Sequence, residues 1–434
     1  MPQCATFRDV FGVREFRALW ASVALSAAGD RLALVALALL VYDRTGSPLL
    51  GAATYAAGYL PWVIGGLLLS GLADRRPRRA VMVACDAARA LLVAAMIVPG
   101  LPVAALVGLL FAATVFAPPF ESARASVTPA ILPGERYALG TSLLQATYLV
   151  AEVAGAAGGG AVAAMAGVRT ALVVDAATFA ASGLLVRFGT RARPAPAPGA
   201  EPAAGRGGAG TSPLAAAVAG LRLVFGDRAL RTLMLLGWLV VFYTVPQGIA
   251  APYAARLGGG PVAAGLVLAS TAAATAAGTP LFSRLVRPRR RLALMGPLAT
   301  ASCATLMLTA LRPGLAVSLV IFSVSAGFGA YQIAVNTAFV VRVPDGQRAQ
   351  AFGIAGMGVI VSQGTGFLAA GLAAQVVSPA VVIAVAGGLG TMAAFGLSRS
   401  WQRVEPSGGR HAAARQATAR TLVRASRERQ ALVS

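Results

Sequence analysis

Long apolar runs separated by short, arginine-bearing loops set the pattern of this chain. A helix that crosses a bilayer needs roughly 20 apolar residues. Runs of about that length recur at residues 19–41, 49–69, 80–98, 102–120, 139–165, 170–188, 233–253, 261–282, 292–311, 315–340, 351–376 and 379–397. They are unbroken rather than alternating, so the pattern predicts helices and not the strands of a barrel. Between residues 188 and 227 the apolar pattern stops. Arg193-Pro194-Ala195-Pro196-Ala197-Pro198-Gly199 opens a Pro-, Ala- and Gly-rich stretch that cannot pack a core. From Pro213 to Arg231 helical spacing returns, with Leu214, Val218, Leu221 and Phe225 on one face and Arg222 and Arg228 free to stay in water. The expected organisation is an all-α integral membrane protein of twelve spans. It comprises a six-helix bundle over 1–189, a cytoplasmic linker with an amphipathic helix over 190–230, a second six-helix bundle over 231–400, and a basic, disordered cytoplasmic tail over 401–434.

Composition supports the membrane assignment. The chain is 57% hydrophobic and 12% charged, roughly half the charged share of a soluble domain. All 37 basic residues are arginine, and their placement sets the topology. Arg8, Arg14 and Arg17, the group from Arg75 to Arg79, the group from Arg187 to Arg231, the group from Arg284 to Arg291 and the arginines from Arg399 onward fall on the side holding both termini. Arg44, Arg169, Arg256 and Arg312 fall opposite. The positive-inside rule then makes both termini cytoplasmic in a multi-pass protein of the cell membrane. The net charge of +22 lies on one membrane face and the tail, which suits orientation and anionic headgroups rather than nucleic acid.

Several chemistries are not expected. Cys4, Cys85, Cys303 and the single His411 are too scattered for a disulfide framework or a metal site. The stretch from Thr6 to Arg17 is charged and amphipathic without a cleavage signal, so the first span should be retained. There is no Gly-x-x-x-x-Gly-Lys-Ser/Thr loop and no lysine at all, and Gly327-Phe328-Gly329 follows no strand. No nucleotide, no other cofactor and no enzymatic activity are expected.

The two halves echo each other. Arg76-Pro77-Arg78-Arg79 returns as Arg287-Pro288-Arg289-Arg290, an offset of 211 residues, and the same offset takes Pro133 to Pro344, Glu152 to Gln363 and Gly155 to Gly366. The shift spans six helices, an even number, so the copies run parallel about an axis along the membrane normal. The stretch Ser70-Gly71-Leu72-Ala73-Asp74-Arg75-Arg76-Pro77-Arg78-Arg79 closes the second run with one acid and four arginines. With this repeat, it resembles the signature of the major facilitator superfamily, Gly-x-Leu-Ala-Asp-Arg-x-Gly-Arg-Arg. Leu72, Ala73, Asp74, Arg75, Arg78 and Arg79 match in place, while Ser70 and Pro77 replace the two glycines. Ser26-Ala27-Ala28-Gly29-Asp30, the Asp86 and Arg89 pair and Asp175-Ala176-Ala177-Thr178-Phe179 look like the drug and siderophore exporter branch, which includes enterobactin exporters. The Gly-Pro-x-x-Gly exporter mark of span five reads Gly155-Ala156-Ala157-Gly158-Gly159-Gly160 here, without the proline.

Asp30 falls near the middle of span one, where an ionised carboxylate costs roughly 2.5 to 3.5 kcal/mol. A carboxyl that can lose that charge by taking up a proton suits a proton-coupled carrier. Glu152 and Asp175 are the other intramembrane acids read from the pattern, whereas no acid occurs from Arg228 to Pro344. Proton-coupling residues are therefore expected only in the first half. The resemblance implies that Asp74, Arg75, Arg78, Arg79, Asp86 and Arg89 form a conformational latch. It also implies a substrate cavity, with Gln145, Tyr148, Trp238, Phe242, Tyr243, Gln247, Tyr331, Gln332, Asn336 and Gln363 as candidate contacts. The expected protein is a monomeric secondary transporter that exports a lipophilic drug-like compound or secondary metabolite by proton antiport and alternating access. Dedicated siderophore or natural-product export, import, lipid flipping and a transport-dead sensor or scaffold are the competing readings.

Overall fold

The computed structural model describes residues 6–69, 76–193, 213–344 and 347–403, and among them it is helical with no strand. Ten helices are long and apolar enough to cross a membrane. These are Arg14–Thr45, Val103–Ile131, Glu135–Met165, Gly167–Gly189, Arg228–Gly248, Pro261–Leu285, Arg290–Leu311, Leu315–Arg342, Gln350–Ala373 and Pro379–Arg403. The other two expected spans are also helical. The second is two helices, Pro48–Ala56 and Pro61–Leu68. The third, Arg78–Met96, carries Asp86 and Arg89 inside its apolar length. In chain order these segments form spans one to twelve of two pseudo-symmetric six-helix bundles.

Three expected boundaries are corrected. The second apolar run is not one helix, because Pro61 cannot donate to the preceding turn and a new helix begins there. The fourth span does not end at residue 120; Pro118 and Pro119 open a new helix, Ala117–Ile131, and so continue the span by more than two turns. The linker helix ends at Gly226, where the Asp227 carboxylate accepts from the Ala229 and Leu230 amides and caps a new helix, Arg228–Trp238. The face of the linker helix also differs from the expected one. Val224 is buried while Leu221 and Phe225 are exposed, because Gly220 brings the helix within 3.0–3.2 Å, measured from a virtual Cβ, of Ile354 and the Gln350 carbonyl on span eleven.

The halves meet through glycines. A Cβ on Gly160 of span five would lie 2.6 Å from the Pro261 carbonyl and 2.8 Å from Gly265 Cα on span eight. The 211-residue offset takes Gly160 to Gly371 of span eleven, whose Cβ would lie 2.5 Å from Ala52 and 3.0 Å from Pro48 and Leu49 on span two. Five-to-eight and eleven-to-two are the same contact after a shift of six spans, as a twofold between the bundles requires. Gly155 presses on Ala28 and Arg31 of span one within its own half. Its counterpart Gly366 presses on Val241 of span seven.

One buried core is shared between the halves. It joins Leu34, Val35, Ala52, Tyr55 and Ala156 to Val245, Tyr253, Ala264, Phe322 and Phe367, toward the end that holds the loop after Thr45. Toward the end that holds Val10 and Trp401, the cores are separate: one runs from Val10 to Val186, the other from Val224 to Trp401. Among the described residues the halves are thus sealed at one end and parted at the end that bears Val10 and Trp401.

Candidate functional site

The first half gathers its intramembrane charge in three clusters. In the first, Arg89 of span three places Nη2 2.5 Å from both carboxylate oxygens of Asp30 on span one. The Arg89 side chain is 7% exposed and that of Asp30 41%, so the arginine is sunk in the bundle while the carboxylate reaches open space. The Phe179 ring lies 4.0 Å from the guanidinium and supports it from span six. Gly29 makes this assembly possible. A Cβ there would sit 2.2 Å from Thr178 Oγ1 and 2.6 Å from Asp175 Oδ1, so only glycine lets span six bring Asp175 beside Asp30. Asp86 lies one turn before Arg89 and accepts a 2.6 Å bond from Ser182.

In the second cluster Arg31 lies 3.5 Å from Glu152 on span five and donates to the Tyr59 hydroxyl on span two at 3.0 Å. Tyr59 and Tyr55 pack edge-on against Phe367 of span eleven, each with ring centroids 5.3 Å away, so this pair adjoins the sealed seam. Asp30 and Arg31 therefore serve different partners, as adjacent residues on a helix, pointing about 100° apart, must.

Sequence reasoning missed the third cluster. Glu121 pairs with Arg124 and accepts a bond from the Tyr148 hydroxyl of span five. Both charges lie in the continuation of span four beyond the expected end at residue 120. The proline pair is the signal that could have found them, since prolines open helices as readily as they end them.

The second half presents no charge pair among its described residues. Instead, span seven is broken at Leu239, Thr244 and Ile249. Near the first break Tyr331 donates to the Leu236 carbonyl at 2.9 Å and Gln332 to the Gly237 carbonyl at 2.8 Å. The Tyr243 hydroxyl lies 3.4 Å from Gln332.

The other candidate contacts are dispersed. Trp238 donates to the Ala355 carbonyl at 3.1 Å, and Gly358 lies against its indole, so it braces span seven on span eleven. Phe242 packs on Gly390 of span twelve. Gln247 reaches Thr271 at 3.5 Å. Gln145 and Asn336 are exposed and Gln363 is half-buried.

Asp74 and Arg75 of the expected latch lie outside the described residues. Arg78 donates to the Ser126 carbonyl, and Arg79 to those of Arg187 and Thr190, all within the first half. Asp86 and Arg89 lie deep in the bundle rather than at its edge. Glu15 holds the start of the linker through Arg191 at 3.1 Å and Arg193 at 2.9 Å.

The fold is shared with known transporters. A bacterial homolog of the human lysosomal transporter Spinster, inward-facing and unoccupied, superposes with a TM-score of 0.60 at 16% identity, over 92% of this chain and 95% of that one. A bacterial homologue of the iron transporter ferroportin, also inward-facing, gives 0.60 at 16% identity, over 89% and 98%. The nucleoside transporter NupG gives 0.68 at 13% identity, over 90% and 99%. At such identities the likeness speaks for the fold alone. Comparison with curated protein sequences finds no match. The profile of the Major Facilitator Superfamily matches residues 19–340 and 244–432. The chain is a multi-pass membrane transporter and belongs to the Major Facilitator Superfamily.

Proposed function

We propose that the protein exports a lipophilic, cationic small molecule across the cell membrane in exchange for protons, by alternating access about the glycine seam. The observation that carries this reading is Asp30, whose carboxylate reaches open space near the middle of a membrane span while its arginine partner is buried. A charge facing lipid at that depth is costly, which supports reading the space it reaches as the gap between the halves. A carboxylate there can hold either a proton or a cation, which is the competition an antiporter needs.

With both termini cytoplasmic, as the arginine placement supports, the parted end faces the cytoplasm and the seam closes the outer side. Two neighbours in the fold, the homologues of Spinster and ferroportin, are inward-facing, which agrees with this orientation. The latch of Asp74, Arg75, Arg78 and Arg79 would close when the inner end shuts. The aromatic and amide groups of the second half, Tyr243, Tyr331 and Gln332, offer a neutral wall for an apolar body. One monovalent cation leaving for one proton entering moves no net charge, so the pH difference alone drives the exchange, and each pH unit supplies about 1.4 kcal/mol, enough for roughly tenfold accumulation.

The test uses inside-out membrane vesicles and labelled tetraphenylphosphonium. An acid interior should drive uptake that collapses when the gradient is dissipated. Uptake indifferent to the gradient contradicts proton coupling, and gradient-driven loss of the probe contradicts the export direction.

A further inference from the structure

Away from the ends of the first six spans, five carboxyls meet three arginines: Asp30, Asp86, Glu121, Glu152 and Asp175 against Arg31, Arg89 and Arg124. Glu121, Glu152 and Asp30 each have an arginine, which leaves Asp86 and Asp175 without one. Asp86 is fully buried, one of its oxygens accepts from Ser182, and Oδ1 has no partner. One helical turn away, Arg89 Nε is buried and equally unpartnered. An orphan acceptor and an orphan donor on the same face of one helix are within each other's reach by side-chain rotation. They stay apart here because Asp30 holds the guanidinium.

We propose that Asp86 is the buried seat of an exchangeable proton, and that Arg89 is a shared counter-ion that passes from Asp30 to Asp86 when Asp30 is neutralised. An ionised carboxylate with a buried, unsatisfied oxygen is among the costlier groups a bundle can hold, whereas a protonated carboxyl is far less so. With Arg89 on Asp30, Asp86 carries its proton. The charged groups facing Asp86 are Arg89 on its own span, Asp30 on span one and Glu121 on span four, with Ser182 on span six. Asp175, also on span six, faces Arg89. Glu121 is occupied by Arg124, so Arg89 is the cation left for Asp86.

The exchange balances. A cation that enters at Asp30 takes over its carboxylate, Arg89 is released and closes on Asp86, and the proton of Asp86 leaves through the space the arginine vacated. One positive charge arrives and one departs, with the guanidinium charged throughout. Phe179 gives the guanidinium a flat surface on which to turn. The physiological meaning rests on the proton-antiport reading. The protonation of Asp86 and its dependence on Asp30 hold or fail whatever is carried.

The experiment is infrared difference spectroscopy of the full-length protein in lipid nanodiscs, following the carbonyl band of protonated carboxyls near neutral pH. Asp86→Asn should remove one such band, and Asp30→Asn, which mimics a neutralised Asp30, should remove the same band because Arg89 turns to Asp86. Ser182→Ala should shift that band without removing it, which keeps the assignment testable if Asp86→Asn does not fold. Asp175→Asn should leave it in place. The proposal is overturned if Asp86→Asn keeps every wild-type band, if Ser182→Ala shifts none, if the Asp86 band survives in Asp30→Asn, or if Asp175→Asn removes it.

Discussion

The two halves share a backbone plan and differ in what they bury. The 211-residue offset sets Asp30 against Val241, Asp86 against Pro297, Arg89 against Thr300 and Asp175 against Ala386. It sets Glu152 against Gln363 and Glu121 against Gln332. Each of these six intramembrane groups thus corresponds to an apolar or neutral residue in the second half, while the seam glycines Gly160 and Gly371 keep both identity and contact. Hinge geometry is symmetric, as a rocking mechanism needs. Charge is not, which is the basis of the proposal that one half responds to protons while the other supplies a fixed wall.

The comparison can be broken most severely at Arg89. Arg89→Met leaves Asp30, Asp86 and Asp175 with no arginine, and removing one partner of a buried pair costs about 3 to 5 kcal/mol, nearer the low end here because Asp30 is partly exposed. The counterpart Thr300→Ala should change stability by less than about 1 kcal/mol. Thermal unfolding in detergent separates the two, and equal effects would undo the asymmetry. Next come the seam positions. Gly160→Val and Gly371→Val should each force the sealed end apart, at about 1 to 3 kcal/mol. Raised labelling of a cysteine introduced at the sealed end in both variants checks this, and an effect confined to one half would contradict the symmetric hinge.

In the second half Gln332→Ala frees the Gly237 carbonyl, a loss of about 1 kcal/mol, with transport slowed but still driven by a pH gradient. The smallest effect lies outside the membrane. Asp9 is fully exposed, and bonds from the Thr6 hydroxyl and amide hold its carboxyl below the ordinary 3.8. A lowered value means that the helix Phe7–Phe11 gains from this cap above pH 3.8 and loses it as pH falls through the lowered value. Amide exchange at Asp9 should rise over that window, and Asp9→Asn should flatten the response.

Much of this asymmetry was legible in sequence. Apolar run length placed the spans, the repeat of Arg76 to Arg79 at Arg287 to Arg290 set the offset, and the acid-free stretch from Arg228 to Pro344 marked the neutral half. The pairing was not legible. Asp30 and Arg89 are 59 positions apart on spans one and three, and no local pattern encodes that they meet or that Gly29 lets span six close on span one beside them. Glu121 escaped because hydropathy falls at Pro118-Pro119 although the helix goes on. The unequal faces of the linker helix likewise depend on what Gly220 touches, which its own periodicity does not encode.

The most direct test compares both halves in one transport measurement. Acid-driven uptake of labelled tetraphenylphosphonium into inside-out vesicles is recorded for wild type, Asp30→Asn, Tyr243→Phe and Gln332→Ala. The account predicts that the response to the pH gradient disappears in Asp30→Asn alone and persists, with altered rate, in the two second-half variants. Gradient-driven uptake in Asp30→Asn, or its loss in Tyr243→Phe or Gln332→Ala, would contradict it.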